Sequence, residues 1–261
     1  LQEPLGGSRE FTAAHWPCDY TIGVHEGTKK VSMTTAHPLG PIVATVSASA
    51  RAGENRNWYL DVYLPQADLL LSQGHFSDQK ENLSLCAAGK EIFVGNYSES
   101  VGTPGCVSVF SLQGEHPRLN HVQDICDSSP RTQNQFGFSV AKGQFLYVGA
   151  PEAKFYNRYP FTMPNLLAGR CGAVFVLTTN QNGRYERMFC DWNIDRGSTW
   201  STPGIYPTRG DSVYGYSIAV DIFGYDRIAI GSPSRSNNFN GYVEIINYDG
   251  QLRRFVSEAI L

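Results

Sequence analysis

"FGFSVAKGQFLYVGAPEA", residues 136–153, and "YGYSIAVDIFGYDRIAIGSPSR", residues 214–235, are two copies of one pattern. Each opens aromatic-Gly-aromatic-Ser, passes through small residues into a turn, and resumes as an apolar stretch ending Gly-Ala-Pro or Gly-Ser-Pro. A short strand, a tight turn and a second strand account for both. Gly149 or Gly231 followed by Pro two positions on terminates the second strand.

Looser copies lie upstream: "VSMTTAHPLGPIVATVSA" from Val31 and "NLSLCAAGKEIFVGNYSE" from Asn82. The apolar strands of the four copies end at Ala44, Gly95, Gly149 and Gly231. A third strand follows each time, in "NWYLDVYL", "CVSVFSL", "GAVFVLTT" and "GYVEIINY". Alternating apolar positions such as Val174, Val176 and Val243, Ile245 give the period of two expected of strands. A fourth strand fits "GRYERMFC" and "GQLRRFVSEAIL". Four antiparallel strands recurring about every fifty residues describe a β-propeller blade. The predicted fold is therefore all-β, a propeller of four-stranded antiparallel blades with four blades visible. They lie near residues 31–81, 82–134, 135–212 and 213–261, after an N-terminal segment 1–30 that holds part of another blade or stands apart. A β-sandwich of look-alike strands is the competing reading.

Composition agrees. Charged residues make up only 17% of the 261, aromatics reach 12%, and 26 Gly with 14 Pro punctuate the chain with turn signals. A net charge of −3 gives no electrostatic reason to expect nucleic acid or an anionic membrane. No apolar run approaches the roughly 18 residues of a transmembrane helix. Six cysteines and two acceptor tripeptides for N-glycosylation, at Asn82 and Asn96, point to a secreted or cell-surface protein.

The units at Phe136 and Tyr214 resemble the FG-GAP repeat, which builds the propeller at the head of integrin α chains and related extracellular proteins. The resemblance is close in these two units, loose in the first two, and covers residues 31–261. It implies that Gly137 and Gly215 let neighbouring aromatics pack closely between blades. Integrin-type propellers have seven blades, and four are visible here. Hence the chain is a fragment, shares its ring with another chain, or forms an unusually small ring.

The repeat also sorts the cysteines. Cys106 starts a third strand and Cys126 ends the fourth; Cys171 and Cys190 hold nearly the same places one unit later. In an antiparallel hairpin such positions are neighbours, so Cys106–Cys126 and Cys171–Cys190 are the expected disulfides. Cys18–Cys86 is left by elimination. The alternative is free cysteines packed as small apolar residues.

Integrin-type repeats often carry a calcium loop between their first two strands. Calcium takes six to eight oxygen ligands, so carboxylates must cluster. Only Asp221 and Asp226 around Gly224 approach this, with Ile222 and Phe223 at the middle positions; a polar turn is the other reading. No cofactor is otherwise expected. GxSxG, HExxH and P-loop motifs are absent, and the six histidines show no ligand spacing, so no enzyme is expected.

In a propeller, the loops joining second to third strands share one face with those joining one blade to the next. Two long connections belong there. The first, after Gly149, carries Tyr156, Arg158, Tyr159 and Phe161, residue types favoured at interface centres. The second contains Arg209-Gly210-Asp211 just before the last repeat. Displayed, that tripeptide offers a receptor an Arg for an acidic pocket and a carboxylate for a metal site; otherwise it is a turn. The leading functional expectation is a non-catalytic adhesion or assembly module, binding a protein partner or another propeller-bearing chain. A carbohydrate-binding propeller that stacks loop aromatics on a glycan is the alternative, followed by the non-catalytic domain of a secreted hydrolase.

Overall fold

The computed structural model describes residues 9–12, 21–24, 28–34, 40–48, 57–64, 69–76, 83–97, 105–114, 117–127, 134–153, 172–188, 190–195, 198–202, 204–205, 213–221, 227–233, 240–251 and 253–261. Among them every regular element is a strand. Strands β1 (Arg9–Thr12) and β2 (Thr21–Val24) pair as a separate two-stranded hairpin.

Four antiparallel sheets follow in chain order. The first is β3 (Thr28–Thr34), β4 (Ile42–Ala48), β5 (Asn57–Leu64) and β6 (Leu69–Phe76). The second is β7 (Leu83–Ala88), β8 (Glu91–Asn96), β9 (Cys106–Gln113) and β10 (Arg118–Cys126). The third is β11 (Ser139–Lys142), β12 (Leu146–Ala150), β13 (Ala173–Thr179) and β14 (Tyr185–Arg187). Then come β15 (Cys190–Asp195), β16 (Ser198–Thr202) and β17 (Gly204–Ile205), ahead of the fourth sheet. That sheet is built on β18 (Ser217–Asp221), β19 (Arg227–Ser232), β20 (Tyr242–Asp249) and β21 (Arg254–Ile260). Each set of four is an up-and-down meander, and the first strands β3, β7, β11 and β18 lie side by side. This is the blade arrangement of a propeller, not the two facing layers of a sandwich.

Strand alternation explains why the sheets stack face to face. In the second sheet Ile92, Val94, Phe110 and Leu112 point back into a core shared with Ile42, Ala44, Leu60 and Val62 of the first. The intervening residues Phe93, Val107 and Val109 point forward, against Val140, Val148 and Phe175 of the third. The third sheet repeats the division: Tyr147, Val174 and Val176 face Ile228, Ile230 and Phe255 of the fourth. Both faces of a middle sheet are therefore apolar, and each fully buried Val, Ile or Phe contributes about 1.5–3 kcal/mol.

The third unit departs from the expected pattern. "GRYERMFC" does not make one strand ending at Cys190. β14 stops at Arg187, and β17 takes over alongside β13, with Val174 opposite Ile205 and Phe175 opposite Gly204. Between these two pieces the chain makes an excursion. β15 and β16 form a hairpin whose first strand joins the fourth sheet, parallel to β21, with Trp192 opposite Phe255. The fourth sheet consequently has six strands and the third has a spliced outer edge. Cys190, expected at the end of the fourth strand, instead opens the hairpin opposite Thr202. Cys171 lies outside the described residues.

Candidate functional site

Ser84, Ser139 and Ser217 each stand opposite a glycine of the neighbouring strand: Gly95, Gly149 and Gly231. The absent Cβ leaves room for the next blade. The Ser84 hydroxyl donates to the Gly137 carbonyl and Ser139 to the Gly215 carbonyl, both at 2.8 Å. A Cβ on Gly95 would lie 2.2 Å from the Gly137 oxygen, and one on Gly149 would lie 2.1 Å from the Gly215 oxygen. The receiving glycines have φ of +92° and +85°, the left-handed region that side chains avoid. Gly137 is also held by its own blade, where the Gly149 carbonyl accepts from the amides of Gly137 and Phe138 at 3.1 and 3.2 Å. Beside this latch the rings of Tyr97, Phe138 and Tyr216 form a ladder with 4.6 Å between successive centroids.

The latch organises one end of the sheets, where the two long connections are rooted. Segment 154–171 leaves after Ala153 and returns at Gly172, whose amide donates to the Ala153 carbonyl at 3.1 Å. Segment 206–212 ends just before Tyr214, which bridges Gly172 directly. The two connections thus share a root. Tyr156, Arg158, Tyr159 and Phe161, and likewise Arg209, Gly210 and Asp211, lie outside the described residues.

Cys106 and Cys126 are disulfide-bonded, at opposed positions of β9 and β10 as the repeat predicts. Cys86 is instead a free, half-buried thiol, so the expected bridge to Cys18 is not made; Cys18 lies outside the described residues. The Cys86 position faces the apolar core between the second and third sheets, and burial raises its pKa to about 11 against the opposing pull of Lys142. Asn96 ends β8, half-buried between Leu83 and Cys106, while Asn82 lies outside the described residues. Asp221 is exposed at the end of β18, opposite Arg227; Asp226 lies outside the described residues. Among the described residues no three His, Cys, Asp or Glu side chains group to hold a metal. No described helix is long and apolar enough to cross a membrane.

Sequence reading missed the contacts that tie the outer strands together. Gln123 of β10 donates to the Tyr185 carbonyl and accepts from its amide, both at 2.9 Å, imitating a strand partner. The Tyr185 hydroxyl donates to Glu91 at 2.7 Å; burial, then that carboxylate, push the phenol pKa upward. Arg187 pairs with buried Asp127 at 3.0 Å and lies over Phe175 and Phe136, 4.6 and 5.3 Å from the ring centroids. The serine of each aromatic-Gly-aromatic-Ser opening is a legible signal for the latch. Nothing local marks Gln123 or Arg187.

The chain matches no protein-family profile and no curated protein.

Proposed function

We propose that this chain is a non-catalytic, extracellular or cell-surface module of FG-GAP type that binds a protein partner through its connecting segments. The observation that carries the reading is the Gly172–Tyr214 bridge. It roots the Tyr- and Arg-rich segment 154–171 and the Arg209-Gly210-Asp211 segment at one place on a rigid scaffold, a favourable arrangement for a composite binding surface. The Cys106–Cys126 disulfide supports an oxidising compartment.

Adhesion of cells to the immobilised protein tests the reading, with Asp211→Glu and the combined Tyr156→Ser, Tyr159→Ser, Phe161→Ser as variants. Lost adhesion in either variant, with unchanged unfolding midpoints, supports protein-partner binding. Unchanged adhesion in both overturns it. Glycan-array binding that disappears with the loop aromatics transfers the function to the carbohydrate-binding alternative.

A further inference from the structure

The dipeptide Asn-Gly occurs twice in the chain, at Asn182-Gly183 and Asn240-Gly241. Asn-Gly is prone to spontaneous loss of the asparagine amide, because glycine has no Cβ to keep its backbone nitrogen from the preceding side chain. All four residues are exposed, so exposure does not separate the two sites. Hydrogen bonding does. Asn182-Gly183 lies in the turn between β13 and β14, where three successive amides donate to Asn180. Asn182 and Arg184 donate to its side-chain Oδ1 at 3.0 and 3.1 Å, and Gly183 donates to its carbonyl at 2.9 Å. The Asn180 amide closes the turn on the Arg184 carbonyl at 2.8 Å. An asparagine side chain that accepts backbone amides just downstream holds such a turn rigid. Asn240-Gly241 has no such clamp. It precedes β20, whose ladder with β19 begins at Tyr242 opposite Ser232, and the Gly241 amide makes no hydrogen bond among the described residues.

We propose that Asn240 is a site of spontaneous covalent modification, converting through a cyclic imide to aspartate and isoaspartate, and that Asn180 protects Asn182 from the same reaction. The Gly241 nitrogen, after losing its proton to base, attacks the carbonyl carbon of the Asn240 side chain. A new C–N bond forms, the carboxamide C–N bond breaks, and ammonia leaves with a proton from solvent. Water then opens the ring at either carbonyl. One product is aspartate; the other is isoaspartate, in which the main chain runs through the side-chain carbon. Nothing is oxidised or reduced, and water is the only co-reactant. At Gly183 the proton that must leave is donated to the Asn180 carbonyl, and the nitrogen is not free to swing until the turn opens. Asn240 stands at the end of the fourth sheet that carries the Gly172–Tyr214 bridge. There Val213 donates to the Pro233 carbonyl at 3.4 Å, and the Tyr242 ring lies 6.4 Å from that of Tyr214. Conversion therefore adds a carboxylate beside the shared root, and isoaspartate adds a main-chain carbon just ahead of β20. The reaction does not depend on what the rooted connections bind.

Incubation of the full chain at mildly alkaline pH, followed by tryptic mapping with fragmentation that separates aspartate from isoaspartate, reads both sites in one sample. In the folded protein Asn240 should convert at least about tenfold faster than Asn182. Opening the turn breaks three hydrogen bonds to Asn180, each worth roughly a fivefold factor. In urea the two rates should converge, since the fold and not the dipeptide sets the difference. Asn180→Ala should raise the Asn182 rate by about tenfold or more and leave Asn240 unchanged. Gly241→Ala should suppress conversion at Asn240. Equal rates in the folded protein, a faster Asn182, or a difference that survives in urea overturns the proposal.

Discussion

The Ser139 hydroxyl donates at 2.8 Å to the carbonyl of Gly215, 76 residues further along the chain, and Ser84 makes the same bond to Gly137. The contact sits at a glycine-lined slot, so hydrogen bond and close approach depend on each other. Ser139→Ala removes the donor from the buried Gly215 carbonyl of the next unit and should cost about 1–2 kcal/mol. Gly149→Val places a Cβ where the Gly215 oxygen lies and should cost about 3 kcal/mol or more. Ser217→Ala, at the equivalent site with no sheet over it among the described residues, should change stability by less than about 0.5 kcal/mol. Urea denaturation of the three variants checks the order; equal losses at Ser139 and Ser217 would contradict the latch.

Two left-handed glycines separate backbone strain from crowding. Gly89 has φ +58° and open space where a Cβ would stand, while Gly215 has φ +85° and the Ala173 oxygen 2.5 Å from that position. Gly89→Ala should therefore cost only the left-handed penalty, about 1–2 kcal/mol. Gly215→Ala adds a collision with backbone that cannot swing away, and should cost at least about 2 kcal/mol more. Thermal melts distinguish them, and matching midpoints would show that the blade contact yields.

The propeller pattern is readable because one small set of local rules recurs four times. Strand alternation, turn glycines and the position equivalent to Val62, Val107, Val174 and Val243 each repeat with the blade. The Cys106–Cys126 pairing follows from the same register. What escapes the sequence is what breaks the repeat. The β15–β16 excursion has ordinary strand residues, and only the parallel edge of β21 decides where it goes. Cys190 falls out of the repeat's register for that reason. Gln123 and Arg187 act between strands 62 and 60 residues away from their partners, a distance over which no periodicity runs.

Removing the Cys106–Cys126 bridge should cost about 3 kcal/mol, because it frees a loop with a sequence separation of 20. The Cys106→Ser, Cys126→Ser double variant measures this by urea denaturation. A loss below about 1 kcal/mol would show that the β9–β10 ladder already confines the unfolded chain.

Arg187 is held by charge and by two rings at once. Asp127 exposes only 4% of its side chain and also accepts from Asn134 at 2.7 Å. Asp127→Ala leaves a guanidinium between Phe136 and Phe175 without its carboxylate, and should cost about 3–5 kcal/mol. Arg187→Lys keeps the charge but loses the planar stack, and should cost about 1–2 kcal/mol. A double-mutant cycle with Phe175→Leu apportions the stacking share; zero coupling between Arg187 and Phe175 would remove the rings from the account.

Stability should fall on the alkaline side. Burial raises Cys86 from a free thiol's 9.0 to about 11. It also pushes the Tyr185 phenol upward, aided by Glu91, and the Tyr214 phenol upward, aided by Glu244. All three are neutral when protonated, so the unfolded chain releases these protons first and the folded chain retains them. Their stabilising share is intact below about pH 9 and declines as pH rises through the unfolded values toward the folded ones, by up to about 1.4 kcal/mol per pH unit for each group. Urea midpoints at pH 8, 9.5 and 10.5 should drop progressively. Cys86→Ala should flatten the portion between pH 9 and 10.5, leaving the tyrosine contribution above it. A midpoint that holds steady to pH 10.5 would mean that these groups meet water in the folded protein.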